Sequence, residues 1–290
     1  MGILETLING LSSGGTYALI ALGYTMVYGI AKMLNFAHGD IIMVGGYTLF
    51  VTMSALGSPF LGLLAAVIGC VILGVVIEKV AYSPLRGASP LAVLITAIGV
   101  SYLLQSTAQI IFGSAPKMVV MFEKKFIVIG SLKISSDVII TLAVSLIVMV
   151  ALSLFVKLTK TGRAMIAVSE DRGAAQLMGI NVNKIITITF AIGSALAALA
   201  GFFMLLKSPS LTNTLGAMPG IKAFAAAVIG GIGSIPGAML GGILMGIVEA
   251  ISYEIPVIAP YTDAIEFLIL IIILLVRPTG ILGKKRREKV

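Results

Sequence analysis

Apolar runs separated by short polar islands recur along the whole chain, and they constrain its fold more than any other feature. They cover residues 7–30, 41–56, 60–77, 91–112, 138–156, 185–206 and 264–276. A helix needs about 20 apolar residues to cross the roughly 30 Å of bilayer hydrocarbon, at about 1.5 Å per residue. In lipid every backbone N–H and C=O must find its partner inside the structure, so repeated runs of this kind fold as helices. Composition agrees. Of the 290 residues, 59% are hydrophobic and only 11% charged, too few charges to cover a soluble surface, and the mean hydropathy is +1.12. The expected fold is all-α: a polytopic transmembrane bundle of about eight or nine membrane elements, forming one domain over 1–290.

Two places depart from the plain pattern. Within the long loop 113–136, Lys125-Phe-Ile-Val-Ile-Gly-Ser-Leu-Lys-Ile134 reads as two short strands about Gly130-Ser131, a small extracytoplasmic hairpin. After Pro209, the apolar stretch 221–230 is too short for an ordinary span. It is followed by Gly230-Gly-Ile-Gly-Ser-Ile-Pro-Gly237 and then by a second stretch, 238–251. A Gly/Pro-broken short pair is the pattern of a discontinuous or re-entrant element.

The polar island from Thr159 to Asn181 is too structured for a plain linker. From Glu170 it reads as a short helix. Glu170 and Asp171 stand where acids suit the positive end of the helix dipole, Ala174, Ala175, Gln176, Leu177 and Met178 form the body, and Gly179 is the stop. A helix of about two turns is marginal in water and needs something to dock against. Leu177, Met178 and Ile180 are the apolar anchors. They can be taken either by the protein's own membrane-proximal face or by a groove on a separate soluble partner.

Orientation follows from the basic residues. If the loop 157–184 and the tail 277–290 both face the cytoplasm, six lysines lie outside: Lys117, Lys124, Lys125, Lys133, Lys207 and Lys222. The other fourteen of the 20 basic residues lie inside, which is the arrangement membrane insertion favours. The same clustering accounts for the net charge of +8 without nucleic acid as a partner. The N-terminus then faces outward and the C-terminus is cytoplasmic. Cys70, the single cysteine, falls in an apolar run and reads as a buried small hydrophobe.

Several chemistries are missing. No Gly-x-x-x-x-Gly-Lys-Ser/Thr phosphate loop occurs, so a nucleotide-driven process needs a hydrolysing subunit from another chain. His38 is the only histidine, which argues against a His-rich metal site, and no cofactor is expected. A His38/Asp40 proton relay is conceivable, but both stand at the mouth of a span, where solvation or capping is the simpler role. Glu249 and Glu266 read as interfacial, leaving too few buried carboxylates for an ion-coupled pump. No nucleophile–base arrangement marks an enzyme.

Three stretches carry a family resemblance. They are Gly15-Thr-Tyr-Ala-Leu-Ile-Ala-Leu-Gly-Tyr24 with Asn35-Phe-Ala-His-Gly-Asp40 and Gly45-Gly-Tyr47; Arg163-Ala with Glu170-Asp and Ala175-x-x-Met-Gly-Ile-Asn181; and Pro219 to Ala238 with Arg277-Pro-Thr-Gly-Ile-Leu-Gly283. Together they resemble the permeases of branched-chain amino acid ABC importers (the LivH type) over essentially the whole chain. The resemblance implies a subunit of the bacterial inner membrane. Its implied partners are a second, related permease subunit, two cytoplasmic ATP-binding subunits and an extracytoplasmic substrate-binding protein.

In that picture Glu170, Asp171, Arg172, Ala174, Ala175, Leu177, Met178, Gly179, Ile180 and Asn181 form a coupling helix seated on an ATPase. A candidate translocation path runs along Asn35, His38, Gly39, Asp40, Gly45, Gly46, Gly230, Gly231, Gly233 and Gly237, where the small residues either line the route or simply pack helices. The alternative is a stand-alone secondary transporter or channel for small neutral solutes such as urea or amides.

Overall fold

The computed structural model describes residues 2–129 and 132–283. Among the described residues, seven helices are long and apolar enough to cross a membrane. These are α2 (His38–Leu56), α3 (Pro59–Ile77, prolonged by a π-helical turn at Glu78–Tyr82), α4 (Pro90–Phe112), α5 (Ser136–Leu158), α8 (Val182–Lys207), α10 (Ile235–Glu254) and α11 (Thr262–Val276, which reaches 18 residues with the 3-10 turn Ala259–Tyr261 that leads into it). Two further elements complete the bundle: α1 (Ile3–Ala31), and α9 (Ala217–Gly230), which is short.

Helix α1 has 29 residues, about 43 Å at 1.5 Å each, enough to cross. Its sequence is less apolar than the other spans because its neighbours are protein. From Ser12 to Val27 every residue is buried, and α1 is the central post around which α5, α8, α9 and α10 pack. Its contact with α10 is backbone to backbone. A methyl added at Gly242 would land on Ala18, and one at Gly246 on the Gly14 nitrogen. Small residues therefore set the helix spacing here.

The broken pair is only half as expected. Helix α9 has 14 residues, about 21 Å, and cannot span the bilayer alone. Helix α10, with 20 residues, can, so the second member of the pair is a full crossing. Between them Gly231 (φ 105°) and Gly233 (φ 93°) adopt left-handed backbone, which makes a tight turn possible. The orphan carbonyls at the end of α9 are satisfied by the segment after α11: Ile281 N–H donates to Ile229 O at 2.8 Å and Leu282 N–H to Gly230 O at 2.9 Å. The Arg277–Gly283 stretch thus serves as a cap for a helix about fifty residues upstream.

The bundle has two faces. On one lie the start of α1 and the ends of α2, α4, α8 and α10. There Lys207 Nζ donates to Ser13 Oγ at 2.6 Å and Lys124 Nζ to Lys207 O at 2.9 Å. This face also carries the hairpin of β2 (Phe126–Ile129) and β3 (Leu132–Ser135), paired antiparallel with Phe126 opposite Ser135. The expected turn residues Gly130 and Ser131 lie outside the described residues. A second pairing was not anticipated: β1 (Lys117–Met118) pairs with β4 (Ser210–Leu211), joining this loop to the segment after α8. On the opposite face lie the end of α1, the start of α8, the polar island and residues 277–283; the rest of the basic tail, 284–290, falls outside the described residues.

Candidate functional site

The polar island folds as two helices rather than one. Helix α6 (Lys160–Glu170) is capped by Thr159, whose Oγ1 accepts from Gly162 N at 2.9 Å, and it buries Met165 and Val168. Helix α7 (Arg172–Leu177) follows. Its N-cap is Asp171, whose Oδ1 accepts from Ala174 N at 3.0 Å. Glu170 therefore ends α6 instead of opening α7. Of two adjacent acids, only Asp171 has its short side chain in reach of the free N–H groups. Gly179 takes φ 81°, and the Ile180 N–H turns back to Ala175 O at 3.0 Å, closing the helix as its glycine predicts.

Of the expected coupling residues, Ala175 is buried and Ile180 packs against the core. Leu177 and Met178 do not dock on the protein: they are 91% and 83% exposed. Arg172 fastens the helix to the bundle. Its guanidinium donates to Ile30 O at 3.1 Å and to Ala31 O, two carbonyls at the negative end of α1. Asn181 caps α8, its Oδ1 accepting from Lys184 N at 3.0 Å. Beside these residues a cavity of about 530 Å³ is lined by Arg86, Arg172, Gln176, Ile180, Asn181 and Asn183, among others.

The residues expected along a path fall into separate groups. Asn35, His38, Gly39 and Asp40 come together at the start of α2, and all are buried. His38 is 1% and Asp40 2% exposed, so neither is solvated as a span mouth suggested. Tyr82 OH donates to Asn35 Oδ1 at 2.9 Å and Gln105 Nε2 to Asp40 Oδ1 at 2.8 Å. The His38 ring meets Tyr24 edge-on at 4.8 Å, and Phe224 of α9 packs against both Tyr24 and Phe36. Gly39 lies against Gly216 and Gly220, so that α2 and α9 touch through backbone at their starts. Gly45 packs on Cys70 and Ala198, and Gly46 on leucines of α8 and the following segment. Gly230 and Gly237 face each other across the α9–α10 turn, with Gly231 against Gly283 and Gly233 near Gly29.

The sequence reading missed one cluster. Lys222, placed among the outward loop charges, is 4% exposed inside the bundle. Its Nζ lies 2.7 Å from Asp263 Oδ1, 3.1 Å from Glu249 Oε1 and 3.1 Å from Glu266 Oε2. Glu249 and Glu266 are correspondingly buried and not interfacial. The signal was present as a lysine inside the short apolar stretch 221–230 with acids in two later ones, and intramembrane charges come in partners. Cys70 is buried as expected, its Sγ 3.3 Å from Ile41 O.

Among the described residues, seven candidate spans together with α1 and the short α9 define a multi-pass helical membrane protein. The chain matches, over residues 6–274, the family described as branched-chain amino acid transport system / permease component, and it belongs to that family. It is 44% identical to the high-affinity branched-chain amino acid transport system permease protein BraD of Pseudomonas aeruginosa, over 99% of this chain and 98% of that one. It is 43% identical to LivH of Salmonella typhimurium and 42% identical to LivH of Escherichia coli K12, in both cases over 99% of this chain and 97% of the relative.

Proposed function

We propose that this chain is the membrane subunit of an ABC importer for branched-chain amino acids. It works by alternating access, and α7 is its contact with a cytoplasmic ATP-hydrolysing subunit. The observation that carries the coupling role is the exposure of Leu177 and Met178, at 91% and 83%. Two large apolar side chains at the tip of a six-residue helix have no reason to stand in water unless a groove receives them. Family membership as a permease component supports the reading over a stand-alone channel. Lacking a phosphate loop, the chain takes its nucleotide chemistry from elsewhere, and the full assembly comprises two permease subunits, two ATPases and an external binding protein.

Force has a short route into the bundle. A push on α7 passes through the Arg172 guanidinium to the end of α1, and α1 meets α10 with backbone against backbone. A contact without compressible side chains transmits displacement instead of absorbing it. The charge-poor spans suit a substrate with an apolar side chain. ATP-driven closure of the partners would rock the bundle between its outward- and inward-open forms.

The test is purification from native membranes, identification of co-purifying subunits, and import into vesicles with and without ATP. Wild type imports only with ATP. The double variant L177D/M178D stays folded and in the membrane, yet its import falls to background, because buried anchors carry about 2 kcal/mol or more each in such contacts. ATP-independent import by the chain alone, or full activity of the double variant, overturns the reading.

A further inference from the structure

The Lys222 cluster holds more negative charge than its lysine can balance. One ammonium serves three carboxyl groups, and among the described residues no further cation pairs with them. Tyr17 comes from α1, Lys222 from α9, Glu249 and Tyr253 from α10, and Asp263 and Glu266 from α11.

The three acids are not equivalent. Glu249 is held by two donors, Lys222 Nζ at 3.1 Å and Tyr17 OH at 2.8 Å. Asp263 has Lys222 at 2.7 Å, and its side chain is 46% exposed, so water screens its charge. Glu266 has neither advantage. It is 0% exposed, and among the described residues no well-directed hydrogen bond reaches either of its oxygens; the ion-pair approach it has there, Lys222 at 3.1 Å, is shared with the other two acids. Removing a carboxylate from water without hydrogen bonds is among the most costly burials a protein can make, and such a group is neutralised instead.

We propose that this cluster is a proton-binding site and that the proton resides on Glu266. A proton fits better than a metal cation because the lysine ammonium already occupies the space beside the free oxygens and repels a second positive charge. Binding is a plain acid–base step: the Glu266 carboxylate takes one proton from a hydronium ion, which is left as water, and becomes a neutral acid. The neutral acid leaves Lys222 to pair with Glu249 and Asp263, which ties the broken helix α9 to both α10 and α11. Loss of the proton adds a second uncompensated negative charge and loosens that tie, so α9 is free to move only when the site empties.

Infrared spectroscopy of the full chain in lipid, with its co-purified subunits, tests this directly. Wild type at neutral pH shows the C=O stretch of a protonated carboxylic acid, shifted in heavy water. E266Q loses that band, while D40N, at a buried acid elsewhere, keeps it. Should E266Q fail to assemble, E266D is informative in its place, since a retained acid on a shorter side chain moves the band to a new frequency. Absence of the band in wild type, its persistence unchanged in E266Q or E266D, or its replacement by stoichiometric sodium binding overturns the proposal. None of these readouts requires transport, so they stand or fall separately from the coupling role of α7.

Discussion

Gly246 and Gly99 look alike in the sequence, each a glycine inside an apolar run, and the structure gives them opposite roles. A methyl at Gly246 would collide with the Gly14 backbone, which cannot step aside without shifting all of α1. A methyl at Gly99 meets nothing within 4 Å and adds helix propensity. G246A is therefore expected to cost about 1–3 kcal/mol through overpacking. G99A should be neutral, or stabilising by up to about 1 kcal/mol. Thermal unfolding of the two variants in the same detergent separates them, and equal midpoints would show that the α1–α10 contact is looser than described. Composition reveals that small residues pack these helices, but which glycine is indispensable depends on what lies across the interface. The Lys222 cluster was hidden for the same reason. Its charged members lie up to 44 positions apart, from 222 to 266, and only the packing of α9, α10 and α11 brings them together.

At the level of elements, the spans, the hairpin strands and the short polar helix were legible because each is written locally: apolar length, a strand pair about a glycine, an acid cap and a glycine stop. Helix α6, which contains Gly162, was not. In the structure that glycine lies where α6 folds back on the Phe155–Val156 backbone of α5. The attachment of α7 was equally invisible, as nothing local tells Arg172 to reach carbonyls more than 140 residues away. That attachment predicts a specific defect. R172A removes two charge-assisted hydrogen bonds, each contributing about 1.5–3 kcal/mol to a buried contact and less where the group is partly wet. The helix keeps its Asp171 cap and its exposed Leu177 and Met178, so R172A is expected to assemble with the ATPase and hydrolyse ATP while importing poorly. R172K, which keeps the charge but not the reach and donor geometry of the Arg172 Nη2 that serves both carbonyls, should fall between. A parallel fall of assembly and import in R172A would show that Arg172 only stabilises the fold.

On the scale of the whole molecule, the arrangement of the two faces fixes which segments share a side, and we propose from the distribution of lysines and arginines that the α6–α7 face is the cytoplasmic one. Moving Lys222 from the outer loops into the bundle leaves five outer lysines (Lys117, Lys124, Lys125, Lys133 and Lys207) where six had been counted. The bias toward the α6–α7 face is thereby strengthened, with the count now restricted to charges that insertion can sense. Cys70 makes the prediction easy to test: its thiol is fully buried and directed at the Ile41 carbonyl, so wild type supplies a nearly silent background for thiol labelling. Ala55 at the end of α2 and Val257 between α10 and α11 are exposed on the hairpin face, and Ala88 and Ala174 are exposed on the other. A55C and V257C are expected to react with a membrane-impermeant maleimide on intact cells. A88C and A174C should react only after the membrane is opened. The reverse pattern would place α7 outside, where no nucleotide-driven partner could reach it. A mixture of sides among residues of one face would mean that the chain does not cross the membrane as the two faces require.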